Sequence, residues 1–379
     1  MYIWEQAAWP RFEWSDGALI EPLAAARLNQ GRLLGRMNGL GFDLQLEAQL
    51  QALTEDVVKS SEIEGDILDH ASVRSSLARR LGVPEAGAAP ADRRTEGVVE
   101  MMLDATRRFD APLTAARLFG WQAALFPTGY SGLSKIKIGG WREDAAGQMQ
   151  VVSGVIGRQQ VHYQAPPAAR LPDEMIAFLA WFAAPPQADG LLRAGLAHLW
   201  FVTIHPFEDG NGRIARAIAD QALAQSEGAP QRFYSMSSQI RRERADYYAI
   251  LEQTQKGGLD VTEWLQWFLA CFTRAIDGAE TSSADVLRKA EFWRVNGGVA
   301  LSERQRLILN RYLDGFEGHL TARKWAILSK CSAASAQRDI ADLVEKGILR
   351  RNEGGSKNTS YALAGAHPET AATPPVGSS

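Results

Sequence analysis

Cysteine is scarce in this chain: Cys271 and Cys331 are the two, far apart and both in stretches of helical pattern. Two such thiols make no disulfide framework and read as reduced structural residues of a cytoplasmic protein. Long apolar runs are missing as well. No segment has the roughly 20 apolar residues that a helix needs to cross a bilayer, so no membrane partner is expected. Met1-Tyr-Ile-Trp-Glu5 lacks the basic and apolar parts of a secretion leader, which agrees with a cytoplasmic location. Positive charge is not in excess: 41 Lys and Arg stand against 44 Asp and Glu, a net charge of −3. That excludes a global basic field for nucleic acid but leaves room for a local patch. What is present is an ordinary globular balance, 46% hydrophobic and 22% charged, in 379 residues. This is length enough for two or three domains with sizeable cores.

One stretch concentrates the chemistry: His205-Pro-Phe-Glu-Asp-Gly-Asn-Gly-Arg-Ile-Ala-Arg216. It follows the apolar run 196–204 and precedes a helical pattern over 214–225, so it reads as helix, tight loop, helix. Gly210 and Gly212 let the backbone turn and come close to a ligand. The N–H groups that open the second helix form a ready anion site. Arg213 and Arg216 are three apart, which sets two guanidinium forks on one helical face, suited to phosphate oxygens. Asp209 offers the hard oxygen that Mg²⁺ takes when a nucleotide's phosphates also hold it. His205 is the group here whose ordinary pKa lies near neutrality, so it can accept a proton during reaction. Each piece alone has a bland reading: a buried histidine, a plain turn, a solvated helix face. Their contiguity makes a triphosphate beside a base the better reading.

The stretch resembles the signature of the Fic-domain family, His-x-Phe-x-Asp/Glu-Gly-Asn-Gly-Arg-x-x-Arg, with every specified position filled. Members of that family mostly transfer AMP from ATP to a hydroxyl side chain of a target protein. The resemblance implies that His205 is the base, Phe207 the core anchor of the loop and Asp209 the Mg²⁺ ligand. It also implies that Gly210, Asn211 and Gly212 form the anion hole. Arg213 and Arg216 would be the phosphate clamps, and Ile214 and Ala215 would lie within the same ATP-binding stretch.

The remaining chain is read around this core. Residues 1–15 carry Tyr2, Trp4, Trp9, Phe12 and Trp14 and read as an arm folded back on the protein. Helical patterns follow over 17–37 and 43–62, the second with Asp43 as N-cap and Leu46, Leu50, Leu53 and Val57 on one face. It ends in Ser60-Ser-Glu-Ile-Glu64-Gly65, which alone is an ordinary helix terminus. Beside the signature it resembles the family's inhibitory motif, Ser/Thr-x-x-x-Glu-Gly/Asn. That likeness implies that Glu64, with Ser60 and Gly65, pairs with Arg216 and occupies the fork the γ-phosphate needs. Further helices are expected over 72–81, 93–109, 114–126, 172–184, 190–203, 241–255 and 260–279.

Residues 149–153 and 159–163 read as a β-hairpin around Gly154-Val-Ile-Gly157. The resemblance makes it a flap, with Val155, Ile156 and Gly157 near the nucleotide, that adds the target segment as a strand. It also places Tyr247 and Gln255 at the adenine and ribose pocket. From Thr281 a charged helix leads to a helix-turn-helix with two short strands, similar to a winged helix. There Arg338, Arg350, Arg351 and Lys357 could meet DNA, although such modules also serve as protein contacts. Residues 365–379 read as a disordered tail.

The expected fold class is all-α: a helical core over 91–280 with a small hairpin flap. The N-terminal helical region is expected over 1–90, a linker helix over 281–300 and the winged module over 301–364. The expected activity is a self-inhibited protein adenylyltransferase with ATP as co-substrate and Mg²⁺ as cofactor. Homodimerisation is compatible with the family resemblance. Two alternatives remain open: removal of AMP from a modified target at the same site, and a DNA-binding regulator that senses nucleotide.

Overall fold

A computed structural model of the chain describes residues 1–83, 91–145, 147–153, 160–282, 284–313, 319–352 and 359–364. Among them no helix is long and apolar enough to cross a membrane. Two units are formed, Met1–Ser282 and Ser283–Ser379.

The first unit is helical apart from two small hairpins. α1 (Asp16–Asn38) starts behind Ser15, whose hydroxyl accepts the Ala18 N–H. α2 (Phe42–Ile63) starts behind Gly41, so Asp43 is not the N-cap expected of it. It stands in the first turn instead, where a negative charge complements the helix dipole. α3 (His70–Leu81), α4 (Arg93–Arg107) and α5 (Ala115–Leu125) are capped by the side chains of Asp69, Asp92 and Thr114. β1 (Tyr130–Ser131) and β2 (Ser134–Lys135) make a tight hairpin. β3 (Gln150–Ser153) and β4 (Gln160–Gln164) make the expected second one, antiparallel, with Val151 opposite Tyr163. Val155, Ile156 and Gly157, the expected flap tip, lie outside the described residues.

α6 (Leu171–Ala183), α7 (Gly190–Ile204) and α8 (Asn211–Glu227) follow, then α9 (Met236–Arg242), α10 (Arg244–Gln255) and α11 (Thr262–Ser282). The single helix expected over 241–255 is thus two. The break falls at Glu243, whose carboxylate is held by both arms of the Arg274 guanidinium at 2.5 and 2.6 Å. α7 is buried from Leu191 through Ile204, which makes it the central post. α8 packs beside it, and its residues are mostly buried as far as Ala224.

α1 packs along α11 and α2 along α9, so the N-terminal region and the core are one unit. The aromatic arm folds back as expected: Trp4, 7% exposed, donates its indole N–H to the Gln164 carbonyl at 2.8 Å and joins Tyr163 and Ala165 in a small apolar cluster.

In the second unit α12 (Ala284–Asn296) is not a free linker, since Phe292 and Trp293 pack on that unit's core. α13 (Glu303–Leu313), β5 (Leu320–Thr321), α14 (Ala322–Leu328), α15 (Ala333–Glu345), β6 (Leu349–Arg351) and β7 (Ser360–Leu363) complete it. The sheet order is β5-β7-β6. A third strand joins the two expected, because Leu320 and Thr321 pair with Tyr361 and Ser360 before the chain coils. Arg338, Arg350 and Arg351 are exposed. Lys357 and residues 365–379 lie outside the described residues.

Candidate active site

α7 ends and α8 begins around one loop, and every polar group of the signature meets there. His205 caps α7 in the left-handed conformation, φ 51° and ψ 58°. For a residue with a Cβ this costs on the order of 1–3 kcal/mol, so neighbours must hold it. Its N–H donates to the Phe201 carbonyl at 3.0 Å, and its ring Nδ1 faces the Val202 carbonyl at 3.3 Å. A carbonyl only accepts, so Nδ1 carries the proton and Nε2 keeps its lone pair. Burial, helped by the nearby Arg142 charge and offset in part by that hydrogen bond and by Glu64 and Asp209, pulls the His205 pKa down to about 4. The ring is therefore neutral at pH 7 and able to take a proton at Nε2.

Phe207 is fully buried against Trp141, Phe119 and Phe201, with ring centroids 5.3 to 6.3 Å apart. Replacing such a side chain with alanine costs about 3–5 kcal/mol, so it anchors the loop. Asn211 closes the loop from within. Its side-chain oxygen accepts the Phe207 N–H at 2.9 Å and its side-chain nitrogen donates to the Phe207 carbonyl at 2.8 Å. Any contribution of Asn211 to an anion hole therefore comes from its backbone. Gly210, at φ 90°, turns the chain into α8. The first N–H groups of α8 have no acceptor within the helix, and its dipole adds partial positive charge there.

Asp209 flanks this opening. One oxygen accepts the Gly210 N–H at 2.5 Å and the other takes the hydroxyl of Ser131 on the β1–β2 hairpin. The carboxylate is 41% exposed. Among the described residues no three His, Cys, Asp or Glu side chains are arranged to hold a metal. A divalent cation at Asp209 therefore fits only as an ion that a bound phosphate also ligates, which is how Mg²⁺ is usually carried.

Both arginines of the stretch are buried, each 2% exposed, which rules out a solvated face. Arg216 donates Nε–H to the Ser60 hydroxyl at 2.9 Å. Its Nη2 donates to the Ser60 carbonyl and to Glu64 Oε1, both at 2.8 Å. The pair Glu64–Arg216 is thus formed as the inhibitory motif implies. Burial alone would lower the Arg216 pKa, but Glu64 together with Tyr247 and Tyr248 outweighs it and the net shift is upward. Arg213 lies over the Phe126 ring, 5.1 Å from its centroid, and donates to Asp66 at 2.8 Å. Here burial wins over Asp66 and Asp209, and the pKa of Arg213 falls. An added anion would suit such a charge. Arg213 Nε and Arg216 Nη1 are buried with no hydrogen-bond partner among the described residues, two N–H donors left open at the mouth of α8. Ile214 and Ala215 are buried between them and carry α8 against the core.

α2 delivers the acids. Its last turn passes through Glu64 to Gly65 at φ 87°, where a glycine is favoured, and the chain reverses so that Asp66 N–H reaches back to the Ser61 carbonyl at 3.0 Å. One helix terminus therefore supplies acids to both arginines. Arg244 on α10 fastens that terminus through the Ile63 carbonyl at 2.8 Å and stacks over Tyr248 at 4.9 Å.

Tyr247 and Gln255, expected at the nucleoside pocket, are placed in the interior. Tyr247 is 1% exposed, its hydroxyl 2.8 Å from His198 Nε2, and Gln255 is 5% exposed with its amide 3.3 Å from the Thr203 hydroxyl. The helix turns by about 100° per residue, so only one of the adjacent tyrosines can face inward; Tyr247 does, and Tyr248 keeps part of its ring exposed. Reading the sequence missed Arg142, Ser131 and Asp66. The first two reach the site from far along the chain and leave no local signal. Asp66 adjoins Gly65, and its position after a helix-ending glycine was the available clue.

Residues 112–223 match the Fic/DOC family model. This segment is similar to Fic domains. Residues 2–83 match a model described as a domain of unknown function, DUF4172. Protein adenylyltransferase Fic of Nematostella vectensis is 34% identical over 117 residues, 30% of this chain and 25% of that protein. Protein adenylyltransferase fic-1 of Caenorhabditis elegans is 32% identical over 107 residues, 27% of this chain and 20% of that protein. The chain thus spans a quarter or less of these relatives' lengths. A Fic family protein of Desulfovibrio desulfuricans has the same fold, with TM-score 0.59 at 21% identity over 94% of this chain and 98% of its own.

Proposed function

We propose that this chain is a self-restrained protein adenylyltransferase, which moves AMP from ATP to a hydroxyl of a target protein. The observation that carries the reading is the placement of a neutral His205, its Nε2 lone pair free, beside two buried guanidiniums with open N–H donors at the N-terminus of α8. The relatives matched over part of this chain are named for this activity, which supports it.

Phosphate oxygens of ATP would take the open donors of Arg213 and Arg216 and the backbone N–H groups of residues 210–212. Mg²⁺, held through Asp209 and the phosphates, would supply further neutralising charge. A target hydroxyl gives its proton to His205 Nε2 as its oxygen bonds to the α-phosphorus. The bond from that phosphorus to the bridging oxygen breaks, and pyrophosphate leaves with its charge met by the arginines. Positioning and fixed electrostatics do most of this work. The hairpin β3–β4 is the element that would hold the target segment by strand pairing. Glu64 restrains the reaction, since its carboxylate occupies Arg216 and repels an incoming phosphate.

ATP labelled on the α-phosphate tests this with the wild type, Glu64→Gly, and Glu64→Gly combined with His205→Ala. Label on protein in the single variant alone is expected. Label retained at full rate without His205, or none in any variant that binds ATP, would overturn the reading.

A further inference from the structure

We propose that Arg142 is a positioning residue for this transfer, holding the catalytic loop and both feet of the β3–β4 hairpin on one guanidinium. The inference rests on the adenylyltransferase reading and adds a residue outside the signature. Arg142 lies between β2 and β3 and is 2% exposed. Its Nε donates to the His205 carbonyl at 2.8 Å, and its backbone N–H donates to the Pro206 carbonyl at 2.9 Å. Its Nη2 donates to the Pro166 carbonyl at 2.6 Å, just past β4, and its Nη1 meets Asp144 at 2.7 Å. Asp144 in turn accepts the Ala168 N–H at 2.6 Å. The segments that enter and leave the hairpin are thus tied to each other and to the backbone of His205.

The arrangement answers a need. His205 sits in a conformation that an L residue avoids, and its carbonyl is the one held by Arg142 while its N–H is held by Phe201. Without the guanidinium, the residue that aims the imidazole would be free to relax. The target strand and the base would also lose their common fastening. A displacement of about 1 Å at a reacting group costs on the order of 100-fold in rate. A lysine in this place keeps the charge but cannot reach three acceptors in three directions, because the planar fork is lost.

A buried arginine could instead serve stability alone, and the two roles separate by experiment. The variants are Arg142→Lys and Arg142→Gln, each in the Glu64→Gly background. The charged groups facing His205 are Arg142, Glu64 and Asp209, and the Arg142 charge is one that lowers its proton affinity. The proposal expects kcat to fall about 100-fold in both variants, with the Kd for ATP within about twofold of the parent. It also expects the acid limb of the rate profile to move to higher pH in Arg142→Gln and to stay in Arg142→Lys. A kcat within threefold of the parent, or a fall with ATP affinity lost in parallel and the acid limb unmoved, would overturn it. An NMR titration of the His205 ring gives a readout without turnover. If the Glu64→Gly parent transfers no AMP, the adenylyltransferase reading fails. The positioning role is then judged on that titration, where an unchanged His205 midpoint in Arg142→Gln counts against it.

Discussion

The carboxylate of Glu64 stands where a side chain on Gly212 would begin. A Cβ built on Gly212 would lie 2.1 Å from Glu64 Oε1 and 3.2 Å from Arg216 Nη1. The signature's second glycine would therefore serve the proposed restraint as well as the proposed phosphate. The two positions should be coupled. Gly212→Ala is expected to destabilise the wild-type protein by about 1–3 kcal/mol and to do so clearly less in the Glu64→Gly background. Denaturant melts of the four proteins in the cycle measure the difference, and additive losses would show that Glu64 does not occupy this seat in solution.

Asp66 and Glu64 divide the two arginines between them, so the proposed restraint would have two arms. Asp66→Asn removes the acid on Arg213 but leaves Glu64 on Arg216. Titrations with ATP should find tighter binding in Asp66→Asn than in wild type, by a smaller factor than in Glu64→Gly. Asp66 also meets Arg94, so a modest loss of thermal stability is expected with it.

Tyr247→Phe separates an interior role from a nucleotide contact. It leaves the buried His198 Nε2 without its 2.8 Å partner, a loss of about 1–3 kcal/mol in stability. The affinity for ATP should stay within about twofold. Tyr248→Ala, by contrast, removes the ring under Arg244 that helps fasten the end of α2, and restrained ATP binding should rise.

Acid stability follows from two histidines. Burial, with the Arg216 charge adding to it, lowers the His198 pKa to about 3, and burial lowers that of His205 to about 4. Unfolded, both would take protons near pH 6.5. The unfolded chain therefore binds more protons below that pH, and folding stability is expected to fall from about pH 6.5 down toward these values. Each tenfold of proton affinity lost on folding corresponds to about 1.4 kcal/mol. Melts from pH 7 to pH 4 should show this slope, and it should shrink in His198→Gln if that variant folds.

How much of this could be read from the sequence depended on how local each interaction is. His205, Asp209, Arg213 and Arg216 are legible because a dozen contiguous residues carry them and each residue type suits one task. The Glu64–Arg216 pair was anticipated through the Ser60 and Gly65 pattern, since both belong to one helix terminus. Helix starts were less legible: Asp43 was expected to cap α2, which starts behind Gly41, while the caps Ser15, Asp69, Asp92 and Thr114 emerge from the folded chain. Arg142 was not, because its four contacts come from residues 144, 166, 205 and 206, and only the folded chain brings them together. Tyr247 came to the site through the resemblance alone, because which of two adjacent rings turns inward, toward His198 and Arg216, is decided by packing against neighbouring helices.

An inhibitor attached to its own target cannot be diluted. Because Glu64 ends a helix whose neighbouring turn is fastened to Arg216 through Ser60, its local concentration at the fork is a property of the chain alone. A tether this short corresponds to an effective concentration at or above the millimolar range. Changes in expression level or cell volume would therefore leave the proposed restraint untouched. Only an event that moves the end of α2, or an anion abundant and tight enough to compete with a permanent neighbour, can lift it.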